Sequence, residues 1–81
     1  MYNQELLYRI FCKGSIIYGK DSKIYRKDKF GNIIYWYSYG KRTDMGWEVD
    51  HSKPSSKGGT SHLNNLQPMH WLANRQKGAS Y

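Results

Sequence analysis

Cysteine is nearly absent from this chain: Cys12 stands alone in 81 residues. A single thiol excludes an internal disulfide and any zinc site built on paired cysteines. Long apolar runs are missing as well. No stretch reaches the roughly 18 consecutive apolar residues that a membrane helix requires, and the one apolar stretch near the N-terminus carries Glu5 and Arg9 inside it. Neither a membrane span nor a secretory leader is written here, so an intracellular location and no membrane partner are the expectation. Acidic residues are also scarce, with 6 Asp and Glu against 13 Lys and Arg and a formal net charge of +7. At this length there is room for one small core, which rules out a multidomain enzyme or a large cofactor fold.

What is present in quantity is aromatic surface and positive charge. Three Trp, eight Tyr and two Phe offer large apolar area per side chain, enough to argue for a folded core although only 38% of residues are hydrophobic. The excess of cations points to polyanions. Nucleic acid returns free energy for such charge through counterion release, and so would an anionic membrane surface. The basic residues are interleaved with Tyr and Trp in hairpin-like and loop-like segments rather than collected on one amphipathic helix, which favours nucleic acid.

Along the chain, Leu6, Leu7, Ile10 and Phe11 fall on one helical face behind Asn3, a good N-cap, and Gly14 is a good stop. The spacing predicts a short N-terminal helix. Ile24-Tyr25-Arg26 and Ile33-Ile34-Tyr35 flank Lys29-Phe30-Gly31-Asn32, the chemistry of a β-hairpin. Tyr35, Trp36, Tyr37 and Tyr39 serve either as core and cross-strand packing, the commoner use, or as a stacking platform for bases. After a loop over Lys41–Gly46, Trp47 to His51 alternates as a strand does, with Trp47 and Val49 inward. Ser52 to Asn64 is too polar and glycine-rich for a regular element. Asn65-Leu66-Gln67 suits a strand pairing back on the first, and Met69 to Lys77 reads as a helix ended by Gly78, with Ala79 to Tyr81 frayed. The expectation is one α+β domain over residues 1–81, with a helix and hairpin region over 1–45 and a strand-strand-helix motif over 46–78.

Asp50 and His51, adjacent at a strand end, put a hard anionic oxygen beside a base whose reference pKa of about 6.5 lies near neutrality. By itself such a pair is ordinary surface polarity. On a helix from Met69, however, His70, Asn74 and Lys77 share one face. Packing that helix across the strands brings Asn74 toward Asp50, and two oxygen donors suit magnesium with water or phosphate completing its shell. His70 on the same face keeps manganese or a later transition metal open.

The run Gly46-Trp47-Glu48-Val49-Asp50-His51, then Pro54, Ser56-Lys57-Gly58-Gly59, Asn65-Leu66-Gln67, His70-Trp71, Asn74-Arg75 and Lys77-Gly78 resembles the HNH nucleases of the ββα-metal fold. His51 and Asn65 stand 14 positions apart, and Asn65 and Asn74 stand 9 apart, spacings usual in that family. The resemblance implies a divalent-metal-dependent endonuclease acting on DNA, duplex in the first instance. It implies His51 as the general base, Asp50 and Asn74 as holders of one divalent cation, Mg2+ before Mn2+, and Asn65 as the residue that pins the loop and helps orient His51. Lys53, Lys57, Arg75 and Lys77 would meet backbone phosphates. Many members carry two cysteine pairs for a structural zinc. Here His70 and Ala73 occupy the helical pair and Phe30 an upstream cysteine position, so no structural zinc is expected and aromatic packing should replace it. His70 is left as a residue behind the ligands, a structural donor, or an extra ligand. The alternative is a non-catalytic, basic nucleic-acid-binding module on the same fold.

Overall fold

The computed structural model describes residues 2–77, so Gly78 as a helix stop and the fraying of Ala79 to Tyr81 lie outside the described residues. Helix α1 spans Gln4–Phe11, strands β1 and β2 span Tyr25–Lys27 and Ile33–Tyr35, strands β3 and β4 span Trp47–His51 and Leu66–His70, and helix α2 spans Trp71–Lys77. Short 3-10 turns at Trp36–Ser38, Ser55–Lys57 and Leu63–Asn65 punctuate the connections. The fold is α+β, two antiparallel hairpins with a helix on each side in sequence.

Asn3 caps α1 as its sequence position suggests, its Oδ1 accepting from the Leu6 N–H at 2.8 Å. The helix ends by turning Gly14 onto the Phe11 carbonyl at 3.0 Å. A β-carbon on Gly14 would meet the Lys27 carbonyl oxygen at 2.8 Å and the Arg26 Cβ at 2.9 Å, so only glycine lets the end of α1 lie this close to β1. Between β1 and β2 the register pairs Tyr25 with Tyr35 and Lys27 with Ile33. Between β3 and β4 it pairs Trp47 with His70 and His51 with Leu66.

Phe11, Ile34 and Trp47 are wholly buried together, with Leu7, Tyr8, Trp36 and Val49 packed against them. Ring centroids lie 5.2 Å apart for Phe11 and Trp47, 5.9 Å for Trp36 and Trp47, and 4.9 Å for Tyr8 and Trp36, separations typical of favourable aromatic pairs. The four candidate stacking residues therefore divide. Trp36 belongs to the core, Tyr39 sits edge-on against Trp47 at 4.9 Å, Tyr35 pairs with Tyr25 across the hairpin, and Tyr37 is exposed.

The last helix begins later than its sequence suggests. Met69 and His70 belong to β4 rather than to α2. Met69 is wholly buried opposite Glu48, and the ladder to β3 overrides helix propensity there, as tertiary context commonly does. His70, Asn74 and Lys77 consequently do not share one helical face.

Candidate active site

Asp50 lies near the end of β3 under α2 and is only 6% exposed. Its carboxylate accepts from the Lys77 ammonium at 3.0 and 2.7 Å and from Gln67 Nε2 at 2.7 Å. The same ammonium donates to the His51 carbonyl at 3.0 Å. Both side chains of the Asp50 and Lys77 pair are 7% exposed. A buried carboxylate without a partner costs several kcal/mol, and three oxygens converging on one cation offset part of the cost of burying both charges. The sequence suggests Lys77 as a phosphate contact; its burial against Asp50 takes it off the surface.

Asn74 stands on α2 beside Glu48 of β3. Its Nδ2 donates to Glu48 Oε1 at 2.9 Å, which leaves Oδ1 with no hydrogen-bond partner among the described residues. Arg75 forks onto the same carboxylate, with one contact of 2.9 Å to Oε2 and a longer one of 3.4 Å to Oε1. The Arg75 hydrogen bond, seconded by Asn74, holds the Glu48 carboxyl below its ordinary pKa, and Arg75 is raised in turn. Arg75 is thus partly committed to Glu48, a residue that sequence reasoning did not single out. Its signal was present: Glu48 and Asp50 flank Val49 on a strand that α2 crosses, with cations at the helix end.

Asn65 closes the long loop. Its Oδ1 accepts from the Lys53 N–H at 2.8 Å, its Nδ2 donates to the Lys53 carbonyl at 3.1 Å and to the Thr60 carbonyl, and its own carbonyl accepts from the Ser52 N–H at 2.8 Å. Loop residues on both flanks of Gly58-Gly59 are thereby tied to one amide. A β-carbon on Gly59 would fall 1.7 Å from the Lys53 carbonyl oxygen, so the closure also requires glycine. No hydrogen bond runs from Asn65 to the His51 ring. Among the described residues that ring, half-buried, has one long hydrogen-bond contact, 3.4 Å from Nε2 to the Ser61 hydroxyl. Lys53, Lys57 and His62 are exposed.

His70 takes the structural option among the three left open. Nε2 lies 2.7 Å from the Asp44 carbonyl and Nδ1 accepts from the Leu72 N–H at 3.2 Å. One neutral tautomer satisfies both contacts, and no ring nitrogen remains for a cation. His70 is thereby taken up by Asp44 and Leu72 rather than offered to manganese or a later transition metal. Phe30 is 61% exposed and packs in place of nothing. The residue that joins the upstream hairpin to the motif is Asp28, only 4% exposed. Its carboxylate accepts from the backbone of Phe30 at 3.0 Å and Asn32 at 2.8 Å, from the Asn32 side chain at 3.1 Å, and from the His70 N–H at 3.0 Å. Sequence reasoning missed it, although Asp two residues before a Gly-containing turn end is a common turn-closing signal.

Val49, Asp50, His51, Pro54, Asn74 and Lys77 line one open pocket of about 300 Å3. His51, Asp50 and Asn74 are thus brought to one wall system, whereas His70 and Arg75 are not among its lining residues. Among the described residues no group of three or more His, Cys, Asp or Glu could hold a metal ion. The oxygens that do converge, both of Asp50 and the His51 carbonyl, surround the positive charge of Lys77.

A family model described as HNH endonuclease matches residues 37–80, more than half of the chain. No curated protein and no solved structure matches it.

Proposed function

Because the chain belongs to the HNH endonuclease family, we propose that it is a divalent-cation-dependent endonuclease that hydrolyses phosphodiester bonds of duplex DNA. The observation that carries this reading is the shared pocket: His51, the buried Asp50 and Asn74 border one open space. A neutral imidazole has one nitrogen lone pair, and neither His51 nitrogen is tied up in a short hydrogen bond. His51 therefore takes a proton from water as a general base. Asp50 and Asn74 Oδ1 would hold the cation, magnesium by the hardness of these donors with manganese as a substitute, once the Lys77 ammonium has given up the Asp50 carboxylate. When bound, such an ion offsets charge on the non-bridging and leaving oxygens of the phosphate. Asn65 keeps the loop shut so that His51 stays at the rim of the pocket, and Lys53 and Lys57 lie exposed on that loop to meet the DNA backbone.

The test is incubation of the purified protein with supercoiled plasmid, with magnesium and with excess chelator. Relaxed or linear product only with magnesium supports the reading, and intact plasmid under both conditions overturns it. One observation favours a non-catalytic DNA-binding module instead, namely that Lys77 already satisfies Asp50. Plasmid left intact but retarded in a gel is the result that reading requires.

A further inference from the structure

Arg75 and Lys77, two of the four cations of the motif, face carboxylates rather than solvent alone. The charge that holds a polyanion must then come largely from elsewhere, and nine of the 13 Lys and Arg precede Gly46. A second pocket, of about 170 Å3, lies between the end of α1, the β1–β2 turn and the β3–β4 pair. Lys13, Lys27 and Lys29 line it, with Ser52 and Gln67 on the motif side. None of the three lysines has a carboxylate partner among the described residues. Lys13 donates to the Leu63 and Leu66 carbonyls, which fixes its position without compensating its charge. Lys29 lies 5.3 Å from the Phe30 ring centroid. The single acid in the wall, Asp28, is buried and already accepts four hydrogen bonds. Three lysines against one saturated carboxylate make the lining of this recess net positive, with room for several waters or a phosphate group.

The recess is joined to the catalytic pocket by two residues. Ser52 follows His51 directly, and Gln67, which lines the recess, donates to Asp50 at 2.7 Å. We propose that this recess seats a backbone phosphate of the DNA flanking the one at His51, with Lys27 and Lys29 as its principal contacts. The identity of the polyanion rests on the nuclease reading above. Contacts of this kind set register on a strand without reading its bases, so the upstream hairpin positions the substrate that the motif cuts. The close approach at Gly14 brings the end of α1 against the Lys27 backbone.

Fluorescence anisotropy of a labelled DNA duplex, in chelator so that nothing is cut, tests the seat. Each phosphate neutralised contributes about 0.9 to the slope of log affinity against log salt concentration. Lys27→Gln/Lys29→Gln should lower that slope by about 0.9, the share of the one phosphate lost, and weaken binding alike on unrelated sequences, while Lys27→Arg/Lys29→Arg retains it. Both pairs are exposed, and circular dichroism should report an unchanged fold. A Gln pair that keeps the wild-type slope overturns the proposal, and so does a loss that the Arg pair shares, because the lysines would then act through structure rather than charge. If the slope falls as expected but plasmid stays intact with magnesium, the nuclease reading fails and the phosphate seat stands. If plasmid is cut and the slope does not move, the seat alone fails.

Discussion

The halves on either side of Gly46 are stabilised by different physics. Upstream, α1 and the β1–β2 hairpin meet around Phe11, Ile34 and Trp36, and among the described residues Arg9 with Glu5 is the ion pair of that half. Downstream, Trp47 is lent to that same core, but the strand-strand-helix motif is fastened by polar pairs: Asp50 with Lys77, Glu48 with Arg75 and Asn74, and Asn65 with its loop. Apolar packing needs shape alone, whereas each polar pair needs both partners. The upstream half can therefore tolerate change in its surface charge, and the motif cannot, because its charges are its fastenings as well as its chemistry.

The largest expected effect separates chemistry from fastening. His51→Ala should slow plasmid cleavage by about 100-fold to 10,000-fold, the range for a lost general base, with little change in the denaturation midpoint, since the ring makes only one long contact. Added magnesium should restore part of the activity of Asp50→Ala and none of that of His51→Ala. On the apolar side, Phe11→Ala should cost about 3–5 kcal/mol in chemical denaturation. A loss near that of an exposed residue would mean that the aromatic cluster is not the common core. Lys77→Met, which leaves Asp50 with Gln67 alone, should cost about 3–5 kcal/mol if the pair is as dry as its 7% exposures indicate, and magnesium should raise the Tm of this variant more than that of the wild type. Asn65→Ala should cost about 1–3 kcal/mol for the stranded loop groups, with protease nicking concentrated between Lys53 and Thr60.

The smallest effect is one of pH. The folded-state pKa of Glu48 is depressed, chiefly by the Arg75 hydrogen bond. Its contribution is therefore fully present above the unfolded carboxylate value of about 4.3 and lost as pH falls through the lower folded value. Glu48→Gln should be less stable than the wild type at neutral pH, and the gap should close in acid. A gap that widens in acid reverses the sign and excludes the assignment.

Local signals made much of this legible in the sequence. Asn3 before an apolar face marks α1, the Gly31-Asn32 turn between Ile- and Tyr-rich segments marks the hairpin, and Trp47 to His51 alternates as a strand. Spacing and residue type together gave the family, because the motif is contiguous. The start of α2 was misread because Met69 and His70 carry no local mark of strand; only pairing with Trp47 and Glu48 makes them one. The partnerships of Lys77 and Arg75 were hidden for a related reason. A lysine facing solvent and a lysine facing a carboxylate 27 residues away have the same letter, and only the crossing of α2 over β3 distinguishes them. Asp28 was legible as a turn residue but not as a bridge.

That bridge bears on how the protein is made. The Asp28 carboxylate reaches the His70 N–H across 42 residues of sequence, and Trp47 is buried against Phe11 and Trp36. A contact so distant in sequence pays its loop-closure entropy only once the intervening elements have shortened the effective loop. The β1–β2 hairpin, whose turn Asp28 closes locally, should form before β4 passes into α2, and α2 should be the last piece to settle over Asp50. A fragment beginning at Gly46 would retain the whole strand-strand-helix motif yet present a bare tryptophan and an unmet N–H where the hairpin belongs, and it should therefore be less stable than the full chain.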